Sequence, residues 1–308
     1  MEIINIIQGA ISLLLILALA PMLVGIVNKQ KAVFTGRIGA PILQPYYDLK
    51  RLFRKETINA NSSSMISRIS PVINIVTVIL AAAMLPVGFA KPLISFNGDI
   101  IVFAYILGLA RFFQILAAMD IGSSFEGMGA SREATFAVFA EPIFFFTIGS
   151  IAFISNYTSI YDIYQSIRLD NLSFIIFIIV CSTSVSILAI TECSRMPVDD
   201  PNTHLELTMI HEVMILDNSG IDLFLYQYSS YIKLAIYAIL ETSFFYPLGV
   251  KNYPLGLLIF IVIILFLSVA LALAETITAR FKLKSIPQYL LFATAIGILN
   301  LLIYTFTK

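Results

Sequence analysis

Residues Ile3 to Val27 read IINIIQGAISLLLILALAPMLVGIV, a stretch of 25 positions that carries no charged side chain. As a helix it would be about 37 Å long at 1.5 Å per residue, enough to cross a hydrocarbon core of about 30 Å. The run lacks the strict period-two alternation of a barrel wall, so a helix is the reading. It is too long for the apolar region of a signal peptide, and Met1 to Asn5 supply no basic flank, so it reads as a first transmembrane helix.

Working outward, further apolar stretches occur at about 71–90, 100–119, 134–155, 173–192, 230–250, 255–276 and 287–306. Hydrophobic residues make up 59% of the 308 positions, roughly 180, and eight spans of about 22 residues would absorb nearly all of them. The expected fold is therefore all-α: a polytopic membrane protein of about eight transmembrane helices, forming one integral membrane domain over 1–308. This composition excludes soluble enzymes and secreted disulfide scaffolds. Nineteen basic residues balance nineteen acidic ones, so no global basic field points to nucleic acid. Two cysteines, Cys181 and Cys193, are too few to hold an iron-sulfur cluster, and any redox centre is expected in a partner.

The distribution of cations sets orientation, because basic loops are retained in the cytoplasm. Segments 28–70, 120–133, 193–229 and 279–286 hold 13 of the 19 Lys and Arg residues, against four in the alternate segments and the ends of the chain. The first set is expected to be cytoplasmic, with both termini outside. Within it, Tyr46 to Lys55 forms an amphipathic pattern. Tyr46, Leu49, Leu52 and Phe53 share one face; Asp48, Lys50, Arg51, Arg54 and Lys55 share the other. This predicts an interfacial helix that anchors on lipid or docks a peripheral partner.

Arg111, Glu141, Lys233 and Glu241 fall inside predicted spans, and Glu192 and Glu275 at span ends. Each costs at least about 2.5–3.5 kcal/mol to place in a bilayer, so each should face a protein interior or a hydrated cavity and serve a function. Glu141 precedes Pro142, where a missing backbone donor would expose carbonyls beside the carboxylate. Lys233 and Glu241 are eight residues apart, about 12 Å along a helix, so water or another side chain must join them.

The densest polar run extends from Glu192 through Arg195, Pro197, Asp199, Asp200, His204 and Glu206, followed by His211 and Glu212. His204 and His211 would lie on one helix face about 10 Å apart, too far for one tetrahedral zinc, and no HExxH motif is present. Two imidazoles among five carboxylates suit a proton path. Gly127-Met128-Gly129 lacks the rest of a nucleotide fingerprint.

Three stretches together resemble the membrane subunit shared by respiratory complex I, as its subunit 1, and the group 4 energy-converting nickel-iron hydrogenases. The first is Gly39-Ala40-Pro41-Ile42-Leu43-Gln44-Pro45-Tyr46-Tyr47-Asp48. The second runs from Ala110-Arg111-Phe112-Phe113 through Asp120-Ile121-Gly122-Ser123-Ser124-Phe125 and Gly129-Ala130-Ser131-Arg132-Glu133-Ala134 to Glu141-Pro142, and looks like the formate hydrogenlyase and hydrogenase-4 branch. The third combines Glu192, Arg195, Pro197, Asp199 and Glu206 with Glu275 and Ala279-Arg280.

The resemblance implies a non-catalytic subunit of a hydrogenase-type oxidoreductase complex, multi-pass in the cell membrane, with a peripheral arm on the cytoplasmic side. The implied partners are a nickel-iron large subunit, an iron-sulfur small subunit and antiporter-like membrane subunits. The nickel-iron centre and the clusters would reside in those partners and no cofactor in this chain. By motif position Glu141, Glu192, Asp199, Glu206 and Glu275 inherit a role in proton or sodium translocation, and Arg132 and Arg195 one in docking or loop ordering.

To the pathway the residues themselves add Asp200, His204, Glu212, Lys233 and Glu241; to docking or ordering they add Arg37, Asp48, Glu133 and Arg280. Where complex I and several hydrogenases carry Phe-Asp-Leu and further glutamates, this chain has Val198-Asp199-Asp200-Pro201, and His204 is expected to take one relay position. The alternatives are a quinone-site subunit of a complex I-like enzyme and the equivalent subunit of a membrane-bound sulfur reductase. An independent secondary transporter would show two related halves, and none are visible.

Overall fold

The computed structural model describes residues 2–58, 63–88, 90–167, 172–199, 209–246 and 253–307. Ten α-helices form it: α1 (Glu2–Phe34), α2 (Gln44–Phe53), α3 (Met65–Ala83), α4 (Asp99–Ile121), α5 (Ser124–Ser155), α6 (Ile160–Ser166), α7 (Leu172–Glu192), α8 (Gly220–Phe245), α9 (Tyr253–Ile277) and α10 (Ile286–Thr307). No strand occurs among the described residues. Among the described residues, seven segments are long and apolar enough to cross a membrane, on α1, α3, α4, α5, α7, α9 and α10. The eighth expected span corresponds to α8, which has 26 residues but carries Asp222, Lys233 and Glu241. The protein is an all-α polytopic membrane protein.

Local chemistry sets the helix ends. Ser64 caps α3 by accepting from the Ile66 N–H at 3.3 Å. The Asp120 carboxylate accepts from the Ser64 and Ser67 amides at 2.8 and 3.3 Å, fastening the start of α3 to the end of α4. That helix stops at Gly122, whose φ of 76° is open to glycine, and α5 starts two residues later. Segment 120–133 is therefore helical apart from Gly122 and Ser123. Asp99, buried at the other end of α4, accepts from the Ile160 amide at 2.7 Å and the Ser159 hydroxyl at 3.0 Å, and so positions the short α6, an element without a sequence signal.

Helix α8 is the hub of the bundle: it packs on α1, α2, α3, α7 and α9. Its polar residues are consequently held among other helices. Helix α2 has the expected two-faced pattern, but α1 and α8 cover its apolar side, with Pro45, Leu49 and Leu52 buried. The Tyr46 hydroxyl donates to the Ala18 carbonyl on α1. Phe53, expected on the covered face, is 61% exposed, with its ring edge against Phe224 of α8. Lys50, Arg51, Arg54 and Lys55 face outward. The segment leading into α2 lies so close to α1 that any side chain at Gly25 would run into the Ile42 carbonyl.

Candidate functional site: a buried network of ion pairs

Arg111 projects from α4 into the bundle with its side chain 9% exposed. Three carboxylates converge on it. Nη2 pairs with Glu192 Oε1 at the end of α7; Nε lies 3.3 Å from Glu133 Oε1 and Nη1 3.9 Å from Glu141 Oε1, both on α5. Guanidinium suits this position because its donors fan out in a plane and serve several acceptors at once. The second oxygen of Glu192 lies 3.6 Å from Lys233 Nζ on α8, so one buried carboxylate joins two cations from different helices.

The network continues through the segment before α8. His211 Nε2 lies 3.2 Å from Glu133 Oε2 and its Nδ1 3.7 Å from Asp199 Oδ2. Asp199 also accepts from the Ile210 and His211 amides at 3.1 and 3.3 Å, and from Arg280 at 2.9 Å. Gly129 lets this segment close on α5, since a Cβ there would collide with Val213. Burial disfavours the imidazolium of His211, but the carboxylates of Glu133 and Asp199 outweigh it and carry the pKa up to about 10. Burial likewise opposes ionisation of Asp199, yet the charge of His211 and the amides of His211 and Ile210 hold its carboxyl below the ordinary range. A neighbouring triad sets Glu275 of α9 2.7 Å from Lys31 of α1 and 3.6 Å from Arg195.

Cavities adjoin these groups. One of about 200 Å³ is lined by Glu192, Arg195, His211, Glu212 and Lys233 among others. A smaller one of about 60 Å³ is lined by Arg111, Glu141, Glu192 and Tyr237. Glu192 thus forms part of the wall of both. Among the described residues, Arg111 Nε and Nη1 and both ring nitrogens of His211 lack a completed hydrogen bond. For His211, which lines the larger cavity, that space is polar and roomy enough for water to complete such bonds. Burial pushes the Cys193 thiol, also on this cavity, up to about 12, which keeps it protonated.

Of the residues singled out from sequence, Glu192, Asp199, Lys233, Glu133 and Arg280 join the network directly, and Arg195 and Glu275 are two members of the triad that Lys31 completes. Glu141 was expected to face a protein interior or a hydrated cavity. It lines the smaller cavity, with its side chain 59% exposed on the flank of the bundle and 3.9 Å from Arg111, because it sits on the side of α5 that this chain leaves uncovered. Glu241 lies apart, with the Ser182 and Ser186 hydroxyls 3.2 and 2.5 Å from its Oε1. Arg132 donates to the Met209 carbonyl at 2.8 Å and so orders the His211 segment. Asp48 accepts from Gln44 at 3.1 Å, and Arg37 is exposed. Asp200, His204 and Glu206 lie outside the described residues.

His211, read with His204 as suiting a proton path but given no partner in it, is the junction between Glu133 and Asp199; its contact with α5 comes from residues nearly 80 positions away and leaves no local pattern. Tyr237 was also missed. Its position four residues after Lys233 and four before Glu241 was the available signal.

A family model described as NADH dehydrogenase matches residues 7–305. Among curated relatives, hydrogenase-4 component C of Escherichia coli (strain K12) is 29% identical over 238 residues, covering 76% of this chain and 73% of that protein. Formate hydrogenlyase subunit 4 of the same organism is 25% identical over 290 residues, covering 92% of this chain and 94% of that one. A chain of the membrane-bound sulfane sulfur reductase, an archaeal respiratory membrane complex, shares the fold at a TM-score of 0.80 and 20% identity, over 97% of this chain and 98% of its own. These relatives are named as components of larger assemblies, and the protein is a multi-pass membrane protein of that kind.

Proposed function

The chain belongs to the NADH dehydrogenase family, and from that premise we propose that it is the integral membrane subunit of an energy-converting hydrogenase-type complex, docking a peripheral redox arm and coupling electron transfer to proton or sodium translocation. The observation that carries this reading is the ion-pair network joining α4, α5, α7 and α8 through Arg111 and Glu192, bordered by a polar cavity. Buried charge of this density is costly as mere scaffold, since hydrophobic side chains pack as well or better. The two hydrogenase relatives, matching most of the chain, favour the hydrogenase branch.

The chemistry follows from sharing. Arg111 has three carboxylates in reach and Glu192 has two cations, so a proton taken up by any one carboxylate releases its hold on a shared partner and strengthens the remaining pairs. A charge change at the peripheral arm acts first on His211, Asp199 and Arg280, which link that side to Glu133. From Glu192 the charge shift reaches Glu141 on the uncovered flank, where an antiporter-like partner would receive it. The redox arm belongs on the cytoplasmic side, by the excess of basic residues in alternate segments, and the outward basic face of α2, with Arg37, is the surface that meets it. The nickel-iron and iron-sulfur centres are assigned to the partner subunits.

Purification of the native complex in mild detergent tests this reading. Nickel and iron should co-purify with the chain, together with hydrogen evolution from reduced ferredoxin or formate. Quinone or polysulfide reduction without nickel would overturn the hydrogenase assignment and leave the family assignment standing.

A further inference from the structure

A third cavity, of about 170 Å³, lies between α1, α7, α8 and α9, deeper along α8 than the network around Arg111. Its lining is mostly aliphatic. Among the described residues, Glu241 is the one acidic side chain on it, and no lysine or arginine lines it. An ionised carboxylate in such surroundings has no counter-charge, a costly arrangement within a membrane.

The hydrogen bonds describe the alternative. Ser186 has one hydroxyl proton but two acceptors in reach, the Ser182 carbonyl at 2.9 Å and Glu241 Oε1 at 2.5 Å. It can serve only one of them at a time. A proton on Glu241 resolves the competition: Ser186 donates to the Ser182 carbonyl and accepts from the carboxyl, while the Ser182 hydroxyl, at 3.2 Å, donates to Glu241. Every polar atom of this small cluster that the structure pairs is then satisfied.

Tyr237 connects this place to the rest. It lines the 60 Å³ cavity with Arg111, Glu141 and Glu192, and it lines the 170 Å³ cavity with Glu241 and Ser186. Lys233, Tyr237 and Glu241 recur every four residues, one face of α8 over about 12 Å. We propose that Glu241, with Ser182 and Ser186, is a proton-holding site at the end of a branch from the Arg111 network, and that Tyr237 forms the link between them. Its place in an energy-coupling route rests on the function proposed above; its proton occupancy does not.

Infrared difference spectroscopy on the full chain in its native complex tests this without any turnover. The wild type should show a carboxylic C=O stretching band that is absent in Glu241→Gln and shifts to lower frequency in D₂O. Ser186→Ala, which removes the short bond, should move the band to higher frequency without abolishing it, which keeps the test open should Glu241→Gln fail to fold. Tyr237→Phe should slow the D₂O shift at least tenfold. Absence of the band, or its loss on adding sodium chloride at constant pH, would overturn the proton assignment, the latter in favour of a metal cation. An exchange rate untouched by Tyr237→Phe would overturn the branch.

Discussion

Arg111→Leu is expected to lower the stability of the folded chain by about 3–5 kcal/mol, the usual cost of removing one partner of a buried ion pair. Glu133 and Glu192 are nearly inaccessible to solvent, and without Arg111 neither has a guanidinium to face. Lys233 still reaches Glu192, and His211 still reaches Glu133, so the loss falls short of the sum of three separate pairs. Arg111→Lys should recover part of the stability, since a single ammonium can pair with one of the three carboxylates but cannot fan out to all. Thermal unfolding of the purified variants in one detergent at neutral pH measures the order: wild type, then lysine, then leucine. Leucine at wild-type stability would mean that the carboxylates are protonated and need no cation.

The second large effect is a pH dependence that His211→Gln removes. The pKa of His211 is raised in the folded protein, to about 10 against an ordinary value of 6.5. A group shifted upward contributes stability in full below its unfolded value and loses it as pH rises through the folded one. Wild type should therefore weaken between about pH 6.5 and 10, by on the order of a few kcal/mol, as the imidazolium between Glu133 and Asp199 gives up its proton. His211→Gln should be less stable than wild type at pH 6.5 and nearly flat across that window. Asp199 has the opposite sign: its lowered pKa supplies stability above the ordinary carboxylate range, lost as pH falls through the folded value, so it leaves the alkaline limb untouched. Thermal unfolding from pH 6 to 10.5 on both proteins gives the comparison, and parallel curves would exclude His211 from the network.

Both effects turn on residues whose importance was only half visible in the sequence. The spans were legible because a bilayer demands long runs of apolar residues, and α4, α7, α9 and α10 follow those runs closely, while α1 continues about two turns past Val27 to Phe34. Boundaries were less so: α3 ends at Ala83, before Pro86, and α5 reaches back to Ser124 because Gly122 and Ser123 suffice to turn the chain. Intramembrane charges announce themselves through their cost, which is why Arg111, Glu192, Lys233 and Glu241 stood out. What the spacing along one helix cannot convey is which helices meet. Arg111 and Glu192 are 81 positions apart, and Lys31 and Glu275 pair across almost the whole chain. The exposure of Glu141 is of the same kind, a property of which neighbour covers α5.

The most direct test of the coupling role is the ratio of ions moved to electrons transferred in Glu192→Gln, measured in sealed inverted vesicles with the complex intact. Glutamine keeps the size of Glu192 and one acceptor oxygen but cannot take up a proton, and among the described residues Glu192 alone borders both the larger cavity and the cavity beside Arg111 and Glu141. Electron transfer at the peripheral arm should persist while ion uptake per electron pair falls at least tenfold. A ratio equal to that of the wild type would contradict a coupling role for the network.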